Sequence, residues 1–139
     1  MTAVGSKGLQ VLVAEDDLEI ADMVRSTLES AGYEVTLVHD GEEALRAALA
    51  NKPDLVILDV MMPQMNGWEV CKALRARAEM SDVGIMMLTA IGPNLNEMTA
   101  PLYGADDHLD KPFVITELLE RVAALAEKVR GERDAVVAP

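Results

Sequence analysis

The sequence predicts a doubly wound α/β domain, a parallel sheet with helices on both faces. Two observations predict it. Five short apolar runs alternate with five stretches of helical spacing, and parallel strands need crossover connections of that kind. The run Leu55-Val56-Ile57-Leu58 is continuously apolar, as a strand covered on both faces should be.

Taken in order, the strands are expected at residues 9–14, 35–38, 55–58, 85–88 and 108–110. The first helix carries Ile20, Met23, Val24, Thr27 and Leu28 three and four apart, and Ala31-Gly32 is its stop signal. The second spans residues 42–51 and is ended by Lys52-Pro53; the third begins after Met65-Asn66-Gly67 and buries Val70, Cys71 and Leu74. The fourth, at residues 94–103, contains Pro101, which removes a backbone donor, so it is expected to be short or distorted. The fifth runs from residue 115 to about residue 130, with Leu118, Leu119, Val122, Leu125 and Ala126 on one stripe. Residues 1–8 read as a flexible arm, 9–131 as the domain and 132–139 as a flexible tail.

Half of the 139 residues are apolar, enough for one core, and at 3% aromatic content that core must be aliphatic, with nine methionines as adaptable filler. Lys plus Arg number 12 against 24 Asp plus Glu, a net charge of −12. Such a chain repels nucleic-acid backbones and anionic membranes, so no direct nucleic-acid partner is expected. There is no long apolar segment to insert in a membrane, and the lone Cys71 has no partner for an internal disulfide, which together suit a reducing cytoplasm.

In open α/β sheets, ligands sit outside the carboxyl ends of the strands where strand order reverses. The first strand runs into Glu15-Asp16-Asp17, the third ends in Asp59, the fourth in Thr89 and the fifth in Asp110-Lys111-Pro112. Singly, each has a plainer reading: Asp16 capping a helix, Thr89 ending a strand, Lys111 solvated, Asp59 opening a turn. Together they form a site. Clustered carboxylates stay ionised only when a cation neutralises them, and an all-oxygen set suits Mg²⁺. With the ion present, Asp59 can attack a phosphoryl donor while Lys111 offsets charge and Thr89 donates its hydroxyl.

These motifs, with Asp54-Leu55-Val56-Ile57-Leu58-Asp59-Val60-Met61-Met62-Pro63, Leu88-Thr89-Ala90, Gly104-Ala105-Asp106-Asp107 and Lys111-Pro112-Phe113, resemble the receiver domain of two-component response regulators over residues 9–130. The resemblance implies a flavodoxin-like five-stranded sheet of order 2-1-3-4-5 and a phosphohistidine donor on a histidine kinase or phosphotransfer protein. It implies Asp16 as a direct Mg²⁺ ligand, Glu15 acting through water, the Met61 backbone carbonyl as a further ligand and Asp59 as phosphoacceptor. Thr89 and Lys111 match the phosphoryl-sensing hydroxyl and the ion-pairing lysine; Ala90 follows the sensing residue, and Lys111-Pro112 is a bond this family usually holds in cis.

Three positions depart from the family pattern. His108 stands where a switching Tyr or Phe is usual, and is read as a half-buried ring in that slot rather than a pH sensor. Pro101 lies on the face by which receivers pair, so a monomer or a weak phosphorylation-dependent dimer is expected. Met61 and Ile91, flanking the path of attacking water, are both apolar, which predicts slow self-dephosphorylation.

The expected role is therefore a phosphoacceptor switch rather than an enzyme, signalling to a protein target. With only residues 131–139 after the last helix, it reads as a stand-alone regulator or phosphorelay carrier, although a receiver cut from a longer regulator with an output domain would look the same. An Mg²⁺-dependent aspartyl phosphatase would need a second acid two residues after its nucleophile, where Met61 stands. A flavin module would need a glycine- and hydroxyl-rich loop where the three acids stand.

Overall fold

The computed structural model describes residues 8–90 and 104–137. Its strands are β1 (Gln10–Ala14), β2 (Glu34–Val38), β3 (Leu55–Asp59), β4 (Gly84–Thr89) and β5 (Asp107–Asp110). The helices among the described residues are α1 (Leu18–Ser30), α2 (Gly41–Ala50), α3 (Gly67–Arg75) and α4 (Ile115–Val137), with one 3-10 turn at Ala78–Met80. All strand pairings are parallel, in the order β2-β1-β3-β4-β5. This is the flavodoxin-like sheet that the sequence implied. The helix expected at residues 94–103, with Pro101, lies outside the described residues, as do residues 1–7.

Alternation along the strands divides the core in two. Val11, Val13, Leu55, Ile57, Met86, Leu88 and Leu109 pack with Val24 and Leu28 of α1 and Leu118 and Val122 of α4. Their neighbours Leu12, Ala14, Val56, Leu58, Ile85 and Met87 pack with Ala44 and Ala48 of α2 and Val70, Cys71 and Leu74 of α3. Successive strand residues point to opposite faces, and so an unbroken apolar run supplies both layers.

Each of the first three helices starts on a side-chain cap. Asp17 accepts from the backbone N–H of Glu19 and Ile20, and Asp40 from that of Glu43. Asn66 and Glu69 form a reciprocal capping box at the start of α3. The stop signal after α1 is used as read: Ala31 is the C-cap, and Gly32 takes a φ of 101° that other residues resist.

The last helix corrects the expected boundary. Residues 132–137, read as a flexible tail, continue α4 as helix to Val137. Gly131 has open space around its α-carbon, so nothing there forces a break. Two residues later, Arg133 places Nη1 2.6 Å from Asp54 Oδ1 and Nε 3.1 Å from Asp82 Oδ2. These partners lie at the amino-terminal ends of β3 and β4, and the pairing ties the extra turns to the base of the sheet.

A second tie holds the amino-terminal ends of β4 and β5. Arg75, the last residue of α3, donates from Nε to Gly104 O (2.8 Å), from Nη1 to Val83 O (2.7 Å) and Met80 O (3.2 Å), and from Nη2 to Asp106 Oδ2 (2.8 Å). Asp106 in turn accepts from Ile85 N–H and from the Lys128 ammonium, each at 2.8 Å. Removing this guanidinium would take a donor from these three carbonyls and leave the half-buried Asp106 carboxylate to Ile85 N–H and Lys128 alone. Arg75→Ala is therefore expected to lower unfolding free energy in urea by about 3 kcal/mol, with Arg75→Lys recovering only part of the loss.

Candidate functional site

Strand order reverses between β1 and β3, and the register gathers the candidate residues there. Ala14 pairs with Leu58, Asp59 with Leu88, and Thr89 with Asp110. The residues at or just beyond these pairs, Glu15, Asp59, Thr89 and Lys111, therefore lie in one row across the carboxyl ends of four strands.

Glu15, Asp16 and Asp59 present carboxylate oxygens that all lie within 4.8 Å of one another. Glu15 and Asp59 are buried, while Asp16 is exposed at the mouth. Lys111 reaches in from the end of β5, its Nζ 2.7 Å from Glu15 Oε1 and 3.4 Å from Asp59 Oδ1. Its backbone N–H donates to Thr89 O at 2.8 Å, which ties the lysine to the strand bearing the hydroxyl. The following peptide bond, Lys111-Pro112, is cis.

The remaining contacts orient the acids. Met61 N–H donates to Asp59 Oδ1 at 3.3 Å, and Asp17 N–H to Glu15 Oε2 at 3.1 Å. Thr89 is fully buried; Ala90, just beyond it, is exposed. Met61 turns its side chain outward. His108 is half-buried on β5, with its carbonyl accepting from Arg121. Ile91 lies outside the described residues.

The response regulator receiver domain family matches residues 11–123. The chain belongs to this family. The receiver domain is 43% identical over 128 residues to the response regulator MprA of Mycobacterium avium (strain 104), covering 91% of this chain and 55% of that one. It is 42% identical to MprA of Mycobacterium ulcerans (strain Agy99), covering 91% of this chain and 53% of that one. The chain thus spans about half the length of the curated relatives it matches. Among solved structures it is similar to the chemotaxis response regulator CheY4 of Vibrio cholerae, with a TM-score of 0.81 at 36% identity, covering 86% of this chain and 99% of that one. It is also similar to the receiver domain of a sensor histidine kinase from Pseudomonas aeruginosa PAO1, solved with a magnesium ion in its active-site cleft (TM-score 0.75, 32% identity, 84% of this chain and 94% of that one). Among the described residues, no helix of the receiver domain is long and apolar enough to cross a membrane.

The pocket's electrostatics follow from crowding. Burial, followed by the neighbouring carboxyl groups of Glu15 and Asp16, pushes the Asp59 carboxyl up to about 8, against the pull of Lys111. Burial works against the Lys111 ammonium too, but Glu15 and Asp59 outweigh it and hold its pKa above the ordinary lysine value. One lysine does not neutralise three acids. Glu15 Oε1 is wholly buried, and among the described residues the Lys111 ammonium, with Nζ 2.7 Å away, is the one cation that faces it. A buried oxygen of this kind within an all-oxygen cluster fits a small hard cation.

Two features were missed in the sequence. Asp17, next to the acidic pair Glu15 and Asp16 that enters the pocket, caps α1. An acid two or three residues before the first apolar helical positions is a cap signal that could have shown this role. His39, at the end of β2, sets Nδ1 3.1 Å from Glu15 O; a lone exposed histidine after a strand gives no sequence signal for that contact.

A carboxyl with a folded pKa above its ordinary 3.8 binds more protons folded than unfolded. It therefore leaves stability untouched at low pH and lowers it as pH climbs towards about 8. In metal-free buffer, Asp59→Asn is expected to stabilise the domain at pH 8 by roughly 1–2 kcal/mol, because Glu15, Asp16 and Lys111 readjust around it. The gain should shrink as pH falls towards 5; urea unfolding at both pH values checks it, and a variant less stable than the parent at pH 8 contradicts it.

Proposed function

We propose that this receiver domain accepts a phosphoryl group on Asp59 from a phosphohistidine of a histidine kinase or phosphotransfer protein, in an Mg²⁺-dependent reaction. The observation that carries the reading is the convergence of buried Asp59 with Glu15, Asp16 and the Lys111 ammonium at the switch point of the sheet. Glu15, Asp16, Asp59 and the Met61 carbonyl are the residues that would hold the ion. When bound, Mg²⁺ supplies charge neutralisation to the acids and to the transferring phosphoryl oxygens.

The chain's own groups do the rest. A carboxylate oxygen of Asp59 attacks phosphorus; the P–N bond to the donor imidazole breaks, its electron pair returns to the ring nitrogen, and an acyl phosphate remains on Asp59. Lys111, held between Glu15 and Asp59, offsets the charge that arrives. Thr89 and Lys111 are joined through the Thr89 carbonyl and the Lys111 N–H, so a phosphoryl group that draws in the Thr89 hydroxyl also bears on β5 and His108. That movement is the signal, read by a downstream protein. The net charge of −12 argues against nucleic acid as the direct contact of this domain.

The family works as a signalling switch and not as a classical enzyme, so self-phosphorylation from a small donor and slow self-dephosphorylation are the activities to measure. Transfer from a phosphorylated kinase should label the parent and leave Asp59→Asn unlabelled; label retained in that variant means a different acceptor. Trp68, next to Gly67 at the start of α3 and packed against the α2–α3 side of the core, should change fluorescence on adding Mg²⁺ and acetyl phosphate.

Met61 offers attacking water no hydrogen-bond partner. Met61→Asn, which supplies one, is expected to hasten loss of label severalfold or more; an unchanged half-life would mean that water approaches from another side.

A further inference from the structure

Met61 belongs to the loop between β3 and α3, and α2 packs against that loop where it carries no side chain. Gly41, the first residue of α2, is buried. A Cβ built there would overlap the carbonyl oxygen of Met65 and stand 2.5 Å from its carbonyl carbon and 2.7 Å from its Cβ. The Gly41 φ is not in the left-handed region, so the requirement for glycine here is one of space and not of backbone freedom.

The loop that Gly41 meets is closed on itself at several points. Gly67 N–H donates to Val60 O at 3.0 Å, Met65 N–H to Pro63 O at 2.8 Å, and Gly41 N–H approaches the same Pro63 oxygen at 3.5 Å. Gln64 reverses the chain with a φ of 70°. At the far end, a Cβ on Gly67 would overlap the Asp59 carbonyl oxygen. Residues 60–66 therefore form a stiff link between Asp59 and α3, and at Gly41 a neighbouring helix bears on that link.

We propose that Gly41 is a positioning residue for the phosphoryl site. By letting the start of α2 seat against Met65, it sets the shape of the 60–66 loop, and with it the Met61 carbonyl and the Met61 N–H that orients Asp59 Oδ1. The proposal rests on the reading of this pocket as an Mg²⁺ site. A side chain at position 41 pushes the loop as a body, since its internal hydrogen bonds resist local adjustment, and displaces the Met61 carbonyl from the acids.

Helix propensity predicts the opposite. Alanine favours a helix over glycine, so if position 41 were only a helical position, Gly41→Ala would raise the melting temperature and leave the pocket alone. Gly131→Ala in α4, where a Cβ meets nothing within 4 Å, is the matched control.

The test is calorimetric Mg²⁺ titration of the parent, Gly41→Ala and Gly131→Ala, with amide chemical shifts recorded without metal. Gly41→Ala is expected to weaken Mg²⁺ binding roughly tenfold, the scale of lost supporting contacts at a metal site, and to shift the amides of Met61, Met65 and Gly67, while Gly131→Ala matches the parent. If Gly41→Ala does not fold, Gly41→Ala with Gln64→Gly lets the loop yield, and should fold with weakened binding. Parent-like affinity together with unmoved loop amides in either folded variant overturns the role of Gly41. A parent that binds no Mg²⁺ overturns the metal reading instead, and the metal-free amide shifts then decide the case for Gly41.

Discussion

The pocket depends on one ammonium held among carboxylates at the end of a parallel sheet. Lys111 lies 2.7 Å from a Glu15 oxygen that is wholly buried and 3.4 Å from Asp59. Without that charge, two buried acids would face each other out of water with nothing to offset either, and a proton would have to be kept between them. With it, the acids can stay close, yet the cluster keeps surplus negative charge. Stability and affinity for a cation thus oppose each other in the same few side chains, as is common where a site is kept ready for a ligand.

The sheet supplies the precision. Its register lines up the ends of β1, β3, β4 and β5, and hydrogen bonds from Val60 N–H to Leu88 O and from Lys111 N–H to Thr89 O carry the alignment past the last paired residues. Side chains on adjacent strand ends lie about 5 Å apart by the spacing of the sheet alone, the distance over which carboxylates compete for one ion.

Much of the fold was legible because its signals are local. The strands were found by apolar runs, and Gly32, Pro53 and Asn66-Gly67 mark helix boundaries by backbone chemistry that needs no knowledge of distant residues. The end of α4 was not legible, since what holds Arg133 is a pair of aspartates, Asp54 and Asp82, brought near by the completed sheet. The same contrast holds at the site. The row of Glu15, Asp59, Thr89 and Lys111 follows from strand ends and topology. The capping role of Asp17, the His39 contact and the fit of Gly41 under Met65 depend on how loops and helices settle, where spacing in the sequence carries little information.

Arg75 bears on how freely the domain's lower rim can drift in sequence. Four of its hydrogen bonds end on the main-chain oxygens of Met80, Ser81, Val83 and Gly104. A carbonyl is present whatever amino acid bears it, so the guanidinium grips the chain without reading the residues it grips. Around this anchor, exposed Ser81 is held through its carbonyl alone, Met80 and Val83 answer to the core they pack in, and Gly104 is confined by its φ of 86° and by the arginine stem against it. One cation can therefore hold a rim whose side chains it does not read.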